Sequence, residues 1–122
     1  MFELSVQREF CAAHAITIAG KREPTHGHNW HVTATVRGEG LDDDGLLCDF
    51  HEVQRALDDV LAPLCDVDLN ATPPFDRLNP TAEHVARHIA DLLSRTLAGR
   101  ARIARVTVTE APGCAATYIV EA

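Results

Sequence analysis

Basic residues are scarce in this sequence: 11 lysines and arginines stand against 18 aspartates and glutamates, for a formal net charge of −7. A phosphate backbone is held mainly by clustered lysine and arginine side chains, so this balance argues against a nucleic-acid partner. It also fits a phosphorylated small substrate poorly. Lys21 and Arg22 form one local basic pair that would ease this conflict, although a solvated loop explains the pair equally well.

Long apolar runs and an export signal are also missing. No stretch approaches the roughly 20 apolar residues of a membrane-spanning helix, and residues 1–7 lack the charged and apolar regions of a signal peptide. The cysteines contain no Cys-x-x-Cys pair, which predicts free thiols in a reducing compartment. We therefore expect a cytoplasmic protein without membrane contact, folded as a single domain over residues 1–122.

Hydrophobic periodicity predicts an α+β fold. Apolar residues recur with helical spacing after Asp49 and again after Thr81, and both residues are placed as helix N-caps. Strict alternation of apolar and polar residues marks strands with one buried face. The element order is β-β-α-α-β-β, a four-stranded antiparallel sheet with two helices on one face. The predicted strands span residues 2–10, 30–36, about 102–110 and 115–121.

Such a sheet leaves two open edges, and a soluble protein must cover or pair them. Joining the edges of neighbouring subunits into a closed barrel removes both. The fold therefore predicts a homo-oligomer before any relationship to other proteins is considered.

Three histidines share one predicted face of the sheet. His14 has the parity of the buried residues of the first strand, and His28 has the parity of Trp30 and Val32 in the second. His26 lies two residues before His28, and residues two apart in an extended chain point the same way. Three neutral nitrogen ligands with an open fourth position are typical of a catalytic zinc site. We therefore predict that His14, His26 and His28 bind Zn²⁺.

A second signal is Glu110, which continues the inward parity of Val106 and Val108. A buried carboxylate is costly unless hydrogen-bond donors hold it. An arginine would serve as that partner. A flat ligand edge that carries an amino group and a ring N–H would serve equally well, and the residues alone leave both interpretations open.

Six short motifs occur along the chain in a fixed order. Together they resemble the 6-pyruvoyltetrahydropterin synthase and 6-carboxytetrahydropterin synthase family nearly end to end. The motifs are Phe10-Cys11-Ala12-Ala13-His14, His26-Gly27-His28-Asn29-Trp30, Gly45-Leu46-Leu47-Cys48-Asp49-Phe50, Leu69-Asn70, Asn79-Pro80-Thr81-Ala82-Glu83 and Thr109-Glu110.

The resemblance implies a T-fold, in which trimers close a barrel and two trimers stack into a homohexamer with active sites at the subunit interfaces. It implies zinc on the three histidines and lyase chemistry on 7,8-dihydroneopterin triphosphate or a related pterin. It also makes Glu110 the anchor of the pterin ring. Thr81, Glu83 and Asp49 are further candidates for the substrate pocket, although each also has a helix-capping explanation.

The chain departs from the family where proton transfer is expected. Arg22 stands where the resemblance places a catalytic cysteine, and Cys65-Asp66 stands where it places an Asp-His dyad. Glu23 has a counterpart in a family branch that uses a glutamate there and cleaves the side chain to leave a 6-hydroxymethylpterin. Pro24 holds Glu23 in an extended conformation. We therefore predict a divergent member with Glu23 and Asp66 as catalytic candidates.

Three functions are compatible with this sequence. The first is a zinc-dependent lyase that acts on a dihydroneopterin phosphate. The second is a T-fold protein that binds a pterin or purine and has lost the family reaction. The third is a structural protein whose histidines are core residues without metal, since a lone buried histidine is usually only hydrogen-bonded.

Overall fold

Two long strands form the centre of the sheet in the computed structural model, which describes residues 1–97 and 99–121. β1 (Phe2–His14) and β4 (His26–Gly38) pair antiparallel in an unbroken register over their whole length. Both strands extend beyond the predicted ranges, because the alternation continues into polar residues that occupy inward positions near one end. The inward side chains of the pair include Val6, Phe10, Trp30 and Val32, which are all buried.

The remaining strands complete a five-stranded sheet in the order β5-β1-β4-β6-β7. β6 (Arg102–Ala111) and β7 (Cys114–Ile119) match the two predicted closing strands. β5 (Val67–Asp68) was not predicted and pairs parallel to β1. The predicted four-stranded antiparallel sheet was therefore incomplete, since a strand of two residues is too short to show any periodicity.

A short hairpin also lies between the first two long strands. β2 (Thr17–Ile18) and β3 (Lys21–Arg22) form a separate two-stranded sheet. Its turn has positive φ values at both central residues, 51° at Ala19 and 79° at Gly20. Two left-handed residues are the requirement of the tight hairpin turn whose twist matches the flanking strands. The predicted loop is thus an ordered hairpin that leads directly to Glu23.

Both predicted helices are present with their predicted N-caps. Asp49 accepts a 2.9 Å hydrogen bond from the backbone N–H of His51 at the start of α1 (Phe50–Leu61). Thr81 caps α2 (Ala82–Thr96) in the same way. α1 packs on β1, and α2 packs on β6 and β7, so one apolar core lies between the helices and the sheet. Within the described residues, no helix is long and apolar enough to cross a membrane.

The opposite face of the sheet is polar. Glu3 accepts hydrogen bonds from Arg105 and Arg37 on this face, at 2.9 Å for the Arg105 Nη2–Glu3 Oε1 pair. The Arg105 and Arg37 guanidinium groups lower the pKa of Glu3 to about 2.

All four cysteines are free thiols, as the sequence predicted.

Candidate active site

The three predicted histidines meet at one end of the β1–β4 pair. The register places His14 opposite His26 and Ala12 opposite His28, so the three imidazoles lie on the helix side of the sheet. Their ring centroids are 4.7, 5.0 and 4.6 Å apart. One nitrogen of each ring lies within 4.8 Å of the other two.

Backbone carbonyls fix the orientation of two of these rings. His14 Nδ1 lies 2.8 Å from the carbonyl oxygen of Pro80, and His26 Nδ1 lies 2.9 Å from that of Pro24. A carbonyl oxygen only accepts hydrogen bonds, so Nδ1 of each ring carries the proton. The lone pair is then on Nε2, which is the tautomer that metal-ligating histidines adopt when an outer group holds the other nitrogen.

Unpaired buried atoms show that this cluster fits a metal ion. Nε2 of His14 and Nε2 of His28 are buried without a hydrogen-bond partner among the described residues. Burial lowers the pKa of His28, which favours the neutral form that binds metal. Ligands of a tetrahedral zinc ion are about 3.4 Å apart, given zinc–nitrogen bonds of about 2.0–2.1 Å. Small side-chain rotations would bring the three nitrogens to that spacing.

Glu110 faces the same cluster, as its parity predicted. It is the extra residue of a β-bulge, because Thr109 pairs with Ala115 while Ala111 pairs with Cys114. Bulges re-aim side chains and are frequent beside active sites. Glu110 Oε2 lies 3.6 Å from His14 Nε2 and has no hydrogen-bond donor among the described residues. The arginine partner that the sequence left open is absent from the described ion pairs.

Glu83 lies near Glu110 but farther out. The two carboxylates line one cavity of about 490 Å³ together with residues 113–117 of the β6–β7 turn and β7. A second cavity, of about 390 Å³, lies on the other side of Glu110 and reaches His28. Glu83 is exposed, whereas the Glu110 side chain is only 27 % exposed. Thr81 does not line either cavity, and its hydroxyl caps α2.

The two catalytic candidates lie in different surroundings. Glu23 Oε1 is 3.6 Å from His26 Nε2, so this carboxylate is at the rim of the histidine cluster. Asp66 is exposed, with a left-handed φ of 58°, and its N–H donates to the carbonyl of Cys11 at 2.6 Å. It lines an open cavity of about 590 Å³ that also includes His28. Among the described contacts, Asp66 makes no ion pair with the histidines.

Asp49 is separated from this cluster within one subunit. It lines a cavity of about 290 Å³ with Val36, near the opposite end of β4 from His26 and His28. Any contact of Asp49 with a ligand at the histidines would therefore have to come from another subunit. Within its own chain, the side chain serves as the α1 cap.

Comparison with known proteins places this chain in one family. The chain belongs to the 6-pyruvoyl tetrahydropterin synthase family, whose model matches residues 3–121. It is 31 % identical over 101 residues to the dihydroneopterin monophosphate aldolase of Pyrococcus furiosus, covering 83 % of this chain and 82 % of the relative. It is 32 % identical over 123 residues to the 6-carboxy-5,6,7,8-tetrahydropterin synthase of Bacillus subtilis, covering 96 % and 84 %.

Solved structures confirm the T-fold. The 6-pyruvoyl tetrahydropterin synthase of Caenorhabditis elegans superposes with a TM-score of 0.83 at 22 % identity, covering 99 % of this chain and 98 % of the other. The Plasmodium vivax enzyme gives a TM-score of 0.80 at 22 % identity, with 96 % of both chains covered. The predicted α+β T-fold class is therefore correct, with β5 and the β2–β3 hairpin as additions.

Proposed function

We propose that this protein is a metal-dependent lyase that cleaves the side chain of a dihydroneopterin phosphate. The observation that carries the proposal is the position of Glu23 Oε1, 3.6 Å from Nε2 of one histidine of the cluster. The Pyrococcus furiosus relative is a dihydroneopterin monophosphate aldolase, which supports side-chain cleavage. The Plasmodium vivax enzyme has been solved with a catalytic glutamate replaced by alanine and by cysteine, which supports a glutamate as the reacting group.

The proposed reaction is a retro-aldol cleavage. When bound, a zinc ion on His14, His26 and His28 would supply a Lewis acid for the side-chain oxygens. Glu23 removes the proton of the 2′-hydroxyl, and the C1′–C2′ bond breaks as the C2′ carbonyl forms. The electron pair of the broken bond moves into the conjugated C6=N5 unit of the ring, and C1′ then takes up a proton. The products are 6-hydroxymethyl-7,8-dihydropterin and glycolaldehyde phosphate.

Glu110 and Glu83 are proposed to bind opposite ends of the substrate. Glu110 Oε2 lies 3.6 Å from His14 Nε2. The carboxylate therefore faces the end of the site where the three histidines would bind the metal. The amino edge of a pterin is at the far end of the ring from its side chain, and the side chain must reach the histidines. We therefore assign the ring edge to Glu83 and a side-chain hydroxyl to Glu110, which differs from the assignment that the sequence motifs suggested.

This assignment predicts a ligand-dependent effect of Glu110→Ala. The variant should weaken binding of neopterin by about tenfold or more, because one charge-assisted hydrogen bond contributes about 1.5–3 kcal/mol. Binding of unsubstituted pterin, which has no side chain, should stay within about twofold, given the same reasoning. Glu83→Ala should weaken both ligands. Calorimetric titration of the zinc-loaded proteins measures the affinity for each ligand. Equal losses of affinity for both ligands in Glu110→Ala would show that Glu110 binds the ring edge instead.

A homohexamer, built as a dimer of trimers, is proposed as the functional form. The sheet ends in open edges at β7 and at the β5–β1 side, and Ile119 of β7 is 65 % exposed. Edge strands of this kind pair readily with another chain. We expect light scattering at micromolar concentration to give a trimeric or hexameric mass. A monomeric mass across that range would contradict the proposed barrel.

A 6-carboxytetrahydropterin synthase is the second candidate, because the Bacillus subtilis relative covers almost the whole chain. Arg22 in place of the family cysteine and Cys65-Asp66 in place of the dyad argue against it. A binder without catalysis is the remaining alternative, and its partner would still be a pterin or purine in the cytoplasm.

One experiment separates these functions. Zinc-loaded protein is incubated with 7,8-dihydroneopterin monophosphate and triphosphate in parallel, and the reduced pterins are separated by chromatography. Accumulation of 6-hydroxymethyl-7,8-dihydropterin is the expected result. Accumulation of 6-carboxytetrahydropterin would favour the second candidate. Binding of either substrate without any new product would identify a binding protein.

A further inference from the structure

Two asparagines hold the short segment that follows β1, residues 15–17, which we call the strap. The Asn70 amide accepts from the Ala15 N–H at 2.8 Å and donates to the Ala15 carbonyl at 2.9 Å. The Asn79 amide makes the same pair of bonds with Thr17, both at 2.9 Å. Each side chain therefore does what a neighbouring strand would do, since it satisfies the N–H and the C=O of one residue at once.

The residue between them faces the opposite way. In an extended chain, successive residues direct their N–H and C=O groups to alternate sides. Ile16 accordingly turns both groups towards Glu23: its carbonyl accepts from the Glu23 N–H at 3.0 Å, and its N–H donates to Glu23 Oε1 at 3.1 Å. The same Glu23 oxygen is the one that lies 3.6 Å from His26 Nε2.

We propose that Asn70 and Asn79 are positioning residues that set the place of the Glu23 carboxylate. Among the hydrogen bonds of the described residues, none joins either asparagine to Glu23. Their four hydrogen bonds fix the strap, and the strap fixes Glu23 through Ile16. The arrangement also links the two sides of the cluster, because Pro80, next to Asn79, accepts the hydrogen bond from His14 Nδ1. The kinetic part of the proposal rests on the proposed function, whereas the structural part does not.

A structural experiment tests whether the two asparagines hold the strap, without any assay of activity. Hydrogen exchange of peptides that cover residues 15–23 is measured for wild type, Asn70→Ala and Asn79→Ala. Faster exchange, by about tenfold or more, is expected in both variants, because opening frees backbone groups that exchange only when unbonded. Thr96→Ala is the control, since it removes a 3.0 Å side-chain hydrogen bond at the C-terminal end of α2. Unchanged exchange at residues 15–23 in both asparagine variants would overturn the proposal.

A double-mutant cycle tests whether the asparagines act through Glu23. Asn79→Ala should lower kcat by about tenfold or more with little change in KM, because catalysis is sensitive to displacements of about 1 Å. In a Glu23→Gln background, the same change should alter kcat by less than about twofold, since the group it positions is already lost. Equal losses in both backgrounds would overturn the positioning role. If the wild-type protein shows no turnover, the proposed function is wrong, and the exchange experiment alone tests whether the asparagines hold the strap.

Discussion

Zinc binding should be lost when either His26 or His28 is replaced by alanine. Both residues contribute one of three nitrogens that lie within 4.8 Å of one another. Loss of an outer hydrogen-bond partner alone lowers metal affinity by 10–100-fold, so loss of a direct ligand should lower it by more than about 100-fold. We expect about one zinc per chain in reconstituted wild type, as in a three-histidine site, and almost none in the variants after desalting. Elemental analysis and competition with a chelator measure both quantities.

His31→Ala is the matched control for this experiment. His31 lies on the same strand, but its side chain points to the outward face, where Nδ1 is 3.9 Å from Glu9 Oε2. Zinc content of this variant should equal that of wild type. Full zinc occupancy in both His26→Ala and His28→Ala would show that the cluster does not bind the metal. The histidines would then be core residues.

Glu23→Gln should have the largest effect on turnover that leaves the metal in place. The amide oxygen still accepts from the Ile16 N–H, so the side chain keeps its position while it loses its basicity. A positioned general base contributes about 10²–10⁴-fold, and kcat should fall by that factor with KM little changed. Steady-state kinetics of the zinc-loaded protein with dihydroneopterin monophosphate provides the measurement.

Glu9→Gln controls for the loss of one negative charge beside a histidine. Glu9 has a similar distance to its imidazole but lies on the outward face of the sheet, away from the cluster. The Glu9→Gln variant should retain wild-type kinetics. A rate of Glu23→Gln within about threefold of wild type would be far smaller than a general base provides and would exclude Glu23 from proton transfer.

Residue parity was sufficient to predict the inward-facing members of the site. Alternation along β1 and β4 directed His14, His26 and His28 to one face, and alternation along β6 directed Glu110 to the same side. These predictions succeeded because β1 and β4 pair without a bulge, so the period of two is preserved over the whole ladder. The bulge at Glu110 falls at the end of β6 and left its inward direction intact.

Contacts that depend on distant segments could not be predicted in the same way. The strap meets Asn70 and Asn79 only because the region between the helices folds back over the end of β1. The β2–β3 hairpin requires a left-handed backbone conformation at Ala19. An alanine side chain disfavours this conformation, so the residue type does not predict the turn. Asp49 illustrates a further limit, since a motif does not reveal which end of the subunit it occupies.

The ladder between β1 and β4 determines whether the three histidines meet at all. The pairing of these two strands positions all three imidazoles, with His14 directly opposite His26. A shift of β1 by one residue would reverse its faces and carry His14 to the polar side. If the three histidines bind zinc as proposed, chains with a shifted β1 would not hold the ion, and a metal indicator would detect the unbound zinc before any spectrum of the fold is recorded.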